Sequence, residues 1–300
     1  MGRLRREPLS REGLVAEELS PVVVGVDGSD PSRVALRWAA EEAVRRGRPL
    51  RIMHALEPWG EVPFYPVPMM TEILQQAGGA ILEQAIGEVR GWEPGLPVTT
   101  ALVAEPASVA LRRQAEEAYE VVVGHRGRGG FASLLLGSVS LHTAGYADAP
   151  VVVVRDGDRP VRRRIVVGID LSEHAATALR YAFDAAVVRE ASLRVIYAWC
   201  PPEGPYAVME VGELAQVAHR EAHDIVAPWR DRYPQVAVAE DCPRDHPVKA
   251  LVAASADADL IVVAARGHTG LRLGSVSHGL IHHARCPVAV VPSGAKGEAG

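Results

Sequence analysis

The stretch PVVVGVDGSDPSRVALRWAAEEA, residues 21–43, recurs as RIVVGIDLSEHAATALRYAFDAA, residues 164–186, at a constant offset of 143 positions. Each version opens on a valine-rich run, passes through a turn that carries an aspartate, and continues with apolar residues at helical spacing. A short continuous apolar run bounded by turn residues is the signature of a strand buried on both faces, as in a parallel sheet covered by helices. The correspondence extends downstream. LRIMHALEP from Leu50 pairs with LRVIYAWCP from Leu193 at the same offset, and EVVVGHRGRGG from Glu120 pairs with LIVVAARGHTG from Leu260 at 140. GSVS at Gly137 and Gly274, and PVVVV and PVAVV near the ends, pair at 137. The chain is therefore a tandem duplication in which the second copy has lost three residues before Val121's counterpart and three more inside the glycine-bearing loop.

Each copy predicts five strands with helices between them. In copy one they fall near 21–27, 50–56, 97–104, 119–124 and 150–155; in copy two near 164–170, 193–199, 235–240, 259–264 and 287–291. The unit reads βαβαβαβαβ, an open parallel sheet whose right-handed crossovers place helices on both faces. At 300 residues the chain exceeds what one core usually organises, which agrees with two domains. The expected boundaries are a disordered leader over 1–20, domains over 21–155 and 164–292, a polar linker over 156–163 and a flexible tail over 293–300.

Bulk composition narrows the function classes. A net charge of -5 favours neither nucleic acid nor an anionic membrane, and 48% hydrophobic residues supply two real cores. Cys200, Cys242 and Cys286 are odd in number and far apart, so neither a disulfide framework nor a zinc site is expected. With no signal-peptide core in the leader and no long uncharged apolar run elsewhere, a cytoplasmic location is the expectation.

In open α/β sheets ligands bind beyond the carboxyl ends of the strands. After the fourth strand of copy one come Gly124-His-Arg-Gly127, nine further residues, and Gly137-Ser138 at the start of a helix. Glycine at 124 and 127 suits positive φ and an approach of ligand to bare backbone. Gly137 and Ser138 sit where a helix N-terminus offers unpaired N–H groups and a positive dipole end to a phosphate. After the first strand come Val26, Asp27, Gly28 and Ser29, with Pro31 near a helix start. Asp27 suits either a hydrogen bond from a ribose or adenine group or an N-cap or turn role.

The arrangement G-x2-G-x9-G-(S/T) after a fourth valine strand, with an aspartate ending the first, resembles the universal stress protein family over nearly the whole chain, twice. The resemblance implies a Rossmann-like sheet of order 3-2-1-4-5 in each copy and ATP, alone or with Mg2+, at the switch point between strands one and four. It places Val26, Asp27 and Ala55 near adenine and ribose, Gly124, Arg126 and Gly127 along the loop, and Gly137, Ser138, Val139 and Ser140 at the phosphates. The matching set in copy two is Ile169, Asp170, Ala198, Ala264, Gly267, Gly274, Ser275, Val276 and Ser277. There Ala264 replaces the first glycine and only six residues separate Gly267 from Gly274, so weaker or altered binding is expected of copy two. The resemblance also implies pairing of fifth strands, Val151–Val154 with Val288–Val291, within the chain, with a further homodimer left open.

The remaining candidates are weaker. His282 and His283 point in different directions on a helix and carry little promise as metal ligands, so no metal site is assigned. Arg126, Arg128 and Arg266 lie in the loops and are either phosphate contacts or solvated. WGEVPFYPVPMM, Trp59 to Met70, is a lid, a partner surface or packing beneath a helix. Cys200 and Cys242 are redox-sensitive thiols or small hydrophobes. No paired carboxylates, Walker lysine or nucleophile–base constellation stands near the glycine loop, and no catalytic residue is assigned. The expectation is a nucleotide-dependent binding module in stress adaptation. Its rival is a slow ATPase or a self-phosphorylating enzyme with Ser138 or Ser140 as acceptor; a nucleotide-free scaffold is the third reading.

Overall fold

The computed structural model describes residues 19–56, 68–127, 136–155, 160–200, 211–265 and 273–293. Most of the leader, part of the linker and most of the tail lie outside them, as does the Trp59–Met70 segment apart from the backbone of its last three positions. Copy one runs β1 (Val22–Gly25), α1 (Asp30–Arg46), β2 (Leu50–Ala55), α2 (Pro68–Trp92), β3 (Val98–Val103), α3 (Ala107–Ala115), β4 (Glu120–Gly124), α4 (Ser138–Tyr146) and β5 (Val151–Val154). Copy two runs β6 (Arg164–Gly168), α5 (Ala175–Val188), β7 (Ser192–Ile196), α6 (Val211–Arg232), β8 (Val238–Asp241), α7 (Pro247–Ala254), β9 (Leu260–Ala264), α8 (Ser275–His283) and β10 (Val288–Val291).

The strands join in one sheet of order β3-β2-β1-β4-β5-β10-β9-β6-β7-β8. Every neighbouring pair is parallel except β5 and β10, which run antiparallel with Val152 opposite Ala289. The valine runs alternate between two cores, because successive side chains in a strand face opposite sides. Val22, Val24, Val122 and Val152 point to the layer of α1, α2, α5 and α6. Val23, Val121, Val123 and Val153 point to the layer of α3, α4, α7 and α8. Both cores run through β5 and β10, so burial is continuous across the two copies. β8 starts three residues later than the sequence predicts. Its residues are half-buried or exposed at the rim of the sheet, so the apolar continuity that marks the central strands is missing there.

α1 has a full set of boundary signals. Ser29 caps it by accepting from the Ser32 N–H, Pro31 occupies the first turn, Asp30 faces the positive end, and Gly47 at φ 60° closes the far end. At the junction of the copies, the fully buried Glu42 of α1 pairs with Arg46 at 2.5 Å and with Arg189, from the end of α5, at 2.5 Å. Tyr181 of α5 donates its hydroxyl to Glu120 of β4 at 2.6 Å. Burial opposes ionisation of Glu42, but Arg189 and Arg46 hold it below the ordinary carboxylate range. Burial, reinforced by the Glu42 charge, pushes Glu120 up to about 7.

Candidate functional site

The order β2-β1-β4-β5 places the turn after β1 beside the loop after β4. Val26 is buried and donates its N–H to the Met53 carbonyl at 2.9 Å. His54 brings Nδ1 to 2.7 Å from the Val26 carbonyl, which ties the end of β2 to this turn. Ala55, half-buried, ends β2 beside it.

Asp27 serves as a turn residue and not as the helix cap. Its Oδ1 accepts from the Ser29 N–H at 3.0 Å and from the Ser29 hydroxyl at 2.6 Å, so it orients the residue that does cap α1. Its Oδ2 faces Gly127, where a Cβ would stand 2.5 Å from that oxygen. Gly124 is likewise pinned, since a Cβ there would stand 2.6 Å from the Pro31 carbonyl oxygen in the first turn of α1. Here the expectation of positive φ fails. Among the described glycines only Gly28 (79°) and Gly47 (60°) adopt it. Gly124 and Gly127 are glycine because backbone and carboxylate crowd the space of a side chain, which no local sequence signal reports.

Gly137 caps α4 with extended backbone and no side-chain hydrogen bond to the first turn. Its own N–H donates to the His125 carbonyl at 2.8 Å, folding the loop back on its start. Ser138 is exposed and Val139 half-buried at that N-terminus. Ser140 is turned inward: its hydroxyl donates to the Gly124 carbonyl at 2.6 Å and so clamps α4 to the end of β4. Arg126 donates Nε to His125 Nε2 at 3.1 Å. Arg128 lies outside the described residues. The assembled site offers a helix N-terminus without a side-chain cap, Ser138 at its mouth, and the Asp27 carboxylate across the loop. That polarity suits a ligand with an anionic end and a hydroxyl-bearing or amino-bearing end.

Copy two keeps the frame and changes the fittings. Ile169 is buried, and Asp170 accepts from the Ser172 N–H at 3.1 Å and hydroxyl at 2.5 Å, repeating the turn of copy one. Gly274 caps α8, again with no side-chain cap. Ser275 is exposed, Val276 half-buried, and Ser277 donates to the Ala264 carbonyl at 3.1 Å. Ala198 is half-buried past the end of β7. Ala264 takes its methyl without positive φ. The helix that would crowd it begins two positions later in the repeat, at Ala175 behind His174, with no side-chain cap. Gly267 and Arg266 lie outside the described residues.

Cys242 is half-buried, with its thiol pushed up first by burial and then by Glu240 and Asp241, while Cys200 is exposed and Cys286 buried. His282 has a neighbour one turn back, His278, whose ring centroid stands 4.5 Å away. Among the described residues no group of three or more potential metal ligands converges. No helix of the described residues is long and apolar enough to cross a membrane.

The universal stress protein family model matches residues 18–155 and again 162–292. A universal stress protein of Mycobacterium bovis is 35% identical over 285 residues, covering 90% of this chain and 96% of that protein. One from Mycolicibacterium smegmatis is 34% identical over 289 residues, with 90% and 96% covered. The crystal structure of a universal stress protein from Archaeoglobus fulgidus superposes with a TM-score of 0.71 at 19% identity, covering 91% of this chain and 98% of that one, and shares its fold.

Proposed function

The chain belongs to the universal stress protein family, and on that premise we propose that its first copy binds ATP in the cleft beyond β1 and β4. The bound nucleotide sets the conformation or partner choice of a cytoplasmic stress-adaptation protein. The observation that carries the reading is the α4 N-terminus, which has no side-chain cap and is folded by the Gly137–His125 hydrogen bond against the loop that Gly124 and Gly127 allow. The fit is supported by those two glycines, whose missing side chains let the turn after β1 and the loop after β4 pack together.

Ser138, Val139 and Gly137 would hold the phosphates, Asp27 and Ala55 the nucleoside end, and Arg126 would supply charge at the loop. When bound, ATP supplies a polyphosphate whose charge the helix end and loop N–H groups neutralise. Copy two binds it more weakly, because Ala264 and the shorter loop alter the enclosure. The two copies act as one unit joined through β5 and β10.

Mass spectrometry of the purified full chain, followed by calorimetric titration of the stripped protein with ATP, tests this. The expected result is close to one adenine nucleotide per chain and one strong binding event. Asp27→Ala is expected to weaken ATP binding about tenfold or more, the scale of one lost charge-assisted hydrogen bond. No heat with ATP, or two equal strong sites, overturns the reading.

A further inference from the structure

The junction of the two copies forms a cleft of about 750 Å³ whose lining, among the described residues, includes none from either glycine loop. That volume is in the range of small-molecule sites. Its walls come from both copies: α1, the ends of α2 and α5, the end of β5, and the residues that lead into β9 and β10. Two indoles line it, and each carries a guanidinium. Arg37 stands 5.6 Å from the Trp92 ring centre and Arg189 5.5 Å from Trp38.

Among the described residues five arginines line the cleft against three carboxylates; Arg33 is also paired with Glu88 at 3.0 Å and Arg189 with Glu42 at 2.5 Å, which leaves Arg37, Arg45 and Arg155 facing the three lining carboxylates. Two of those carboxylates are already engaged. Asp259 accepts the backbone N–H groups of Arg162 at 2.7 Å and Arg164 at 3.1 Å. Glu41 is shared between Arg37, at 3.4 Å, and Arg45, at 2.9 Å, and Arg45 also reaches Glu42 at 3.7 Å. The two Glu41 pairs are exposed, and such pairs exchange at little cost. A related cleft of about 900 Å³ lies across the junction, where Arg180, Tyr181 and Asp184 stand in the repeat positions of Arg37, Trp38 and Glu41. There, among the described residues, four arginines meet four carboxylates and the indole is a phenol. The excess of lining arginines over lining carboxylates is thus particular to the first cleft and is not a by-product of the duplication.

We propose that the junction cleft between α1 and the end of α5 is a second ligand site, for a planar aromatic anion. Its ring stacks on the Trp38 and Trp92 platforms, and its phosphate or carboxylate displaces Glu41 from Arg37 and Arg45. Arginine and tryptophan together suit both halves of such a ligand. The proposal stands independently of ATP at the glycine loop.

Calorimetric titration of the full chain with 2-naphthyl phosphate tests it, with 2-naphthol and inorganic phosphate as ring-only and anion-only probes. One binding event is expected, with each partial probe weaker by about tenfold or more. The Arg37→Glu/Arg45→Glu variant should lose at least about tenfold in affinity, and Arg37→Gln/Arg45→Gln, which avoids any disturbance of folding by charge reversal, should change in the same direction. Quenching of indole emission should fall in Trp92→Phe. Unchanged affinity in both arginine variants, or phosphate binding as well as naphthyl phosphate, would overturn the proposal.

Discussion

Copy one and copy two share a backbone plan and differ at a few contacts, and those contacts show which residues the plan needs. Gly124 can take a methyl only if the Pro31 carbonyl moves aside; Ala264 carries that methyl, and α5 starts later than α1 does in the repeat. A one-carbon change at a strand end is thus matched by the loss of a capped first turn on the neighbouring helix. The junction differs as much. Glu42 and Glu120 of copy one stand where copy two has Ala185 and Leu260. Two buried carboxylates therefore come from one side only, and copy two answers with Arg189 and Tyr181.

The largest test of this asymmetry removes Glu42. Glu42→Ala strands Arg46 and Arg189 and should destabilise the chain by about 3–5 kcal/mol in chemical denaturation, the cost of breaking a buried pair from one side. A loss below about 1 kcal/mol would show that the two guanidiniums reach water.

Glu120 predicts a pH dependence that Leu260 cannot share. Its value in the fold, about 7, stands above the unfolded one, so the protonated carboxyl favours the folded state. That stability is full below the ordinary carboxylate range and falls as pH rises through about 7, by at most about 3 kcal/mol. The groups that face it are Glu42 and Arg46 of α1, Arg189 and Tyr181 of copy two. Thermal midpoints from pH 5 to 8 should decline in the parent chain and flatten in Glu120→Gln; parallel profiles would remove Glu120 as the cause.

Gly124→Ala should cost about 2 kcal/mol, because the first turn of α1 must shift to admit the methyl, and it should weaken ATP binding as well. Ala264→Gly, the reverse change in copy two, should stay within about 1 kcal/mol. Equal costs would mean that α1 yields as readily as α5. Smallest is the serine clamp. Ser140→Ala loses a 2.6 Å bond and Ser277→Ala a 3.1 Å bond, so the first should cost about 1 kcal/mol and the second less.

The strands were legible because a central parallel strand has no solvated face, so Val22–Gly25 and Val151–Val154 read as unbroken apolar runs. β8 was misplaced for the converse reason. The position of the glycine loop was also legible, but the demand behind it was not: Pro31 is distant in sequence from Gly124, and Asp27 from Gly127. Glu42 was hidden beside Glu41 on what reads as a solvated helix face. A signal for it existed in the duplication itself, since a carboxylate in one copy opposite alanine or leucine in the other marks a position whose partner lies across the repeat.

The antiparallel pairing of β5 with β10 turns an association into a covalent property. The two copies meet at an effective concentration fixed by their linker, so dilution does not part them, and each fifth strand has its partner within the chain. The same pairing points the two glycine loops toward opposite ends of the sheet. A partner gripping one end leaves the other open, which gives a single chain the geometry of a bridge.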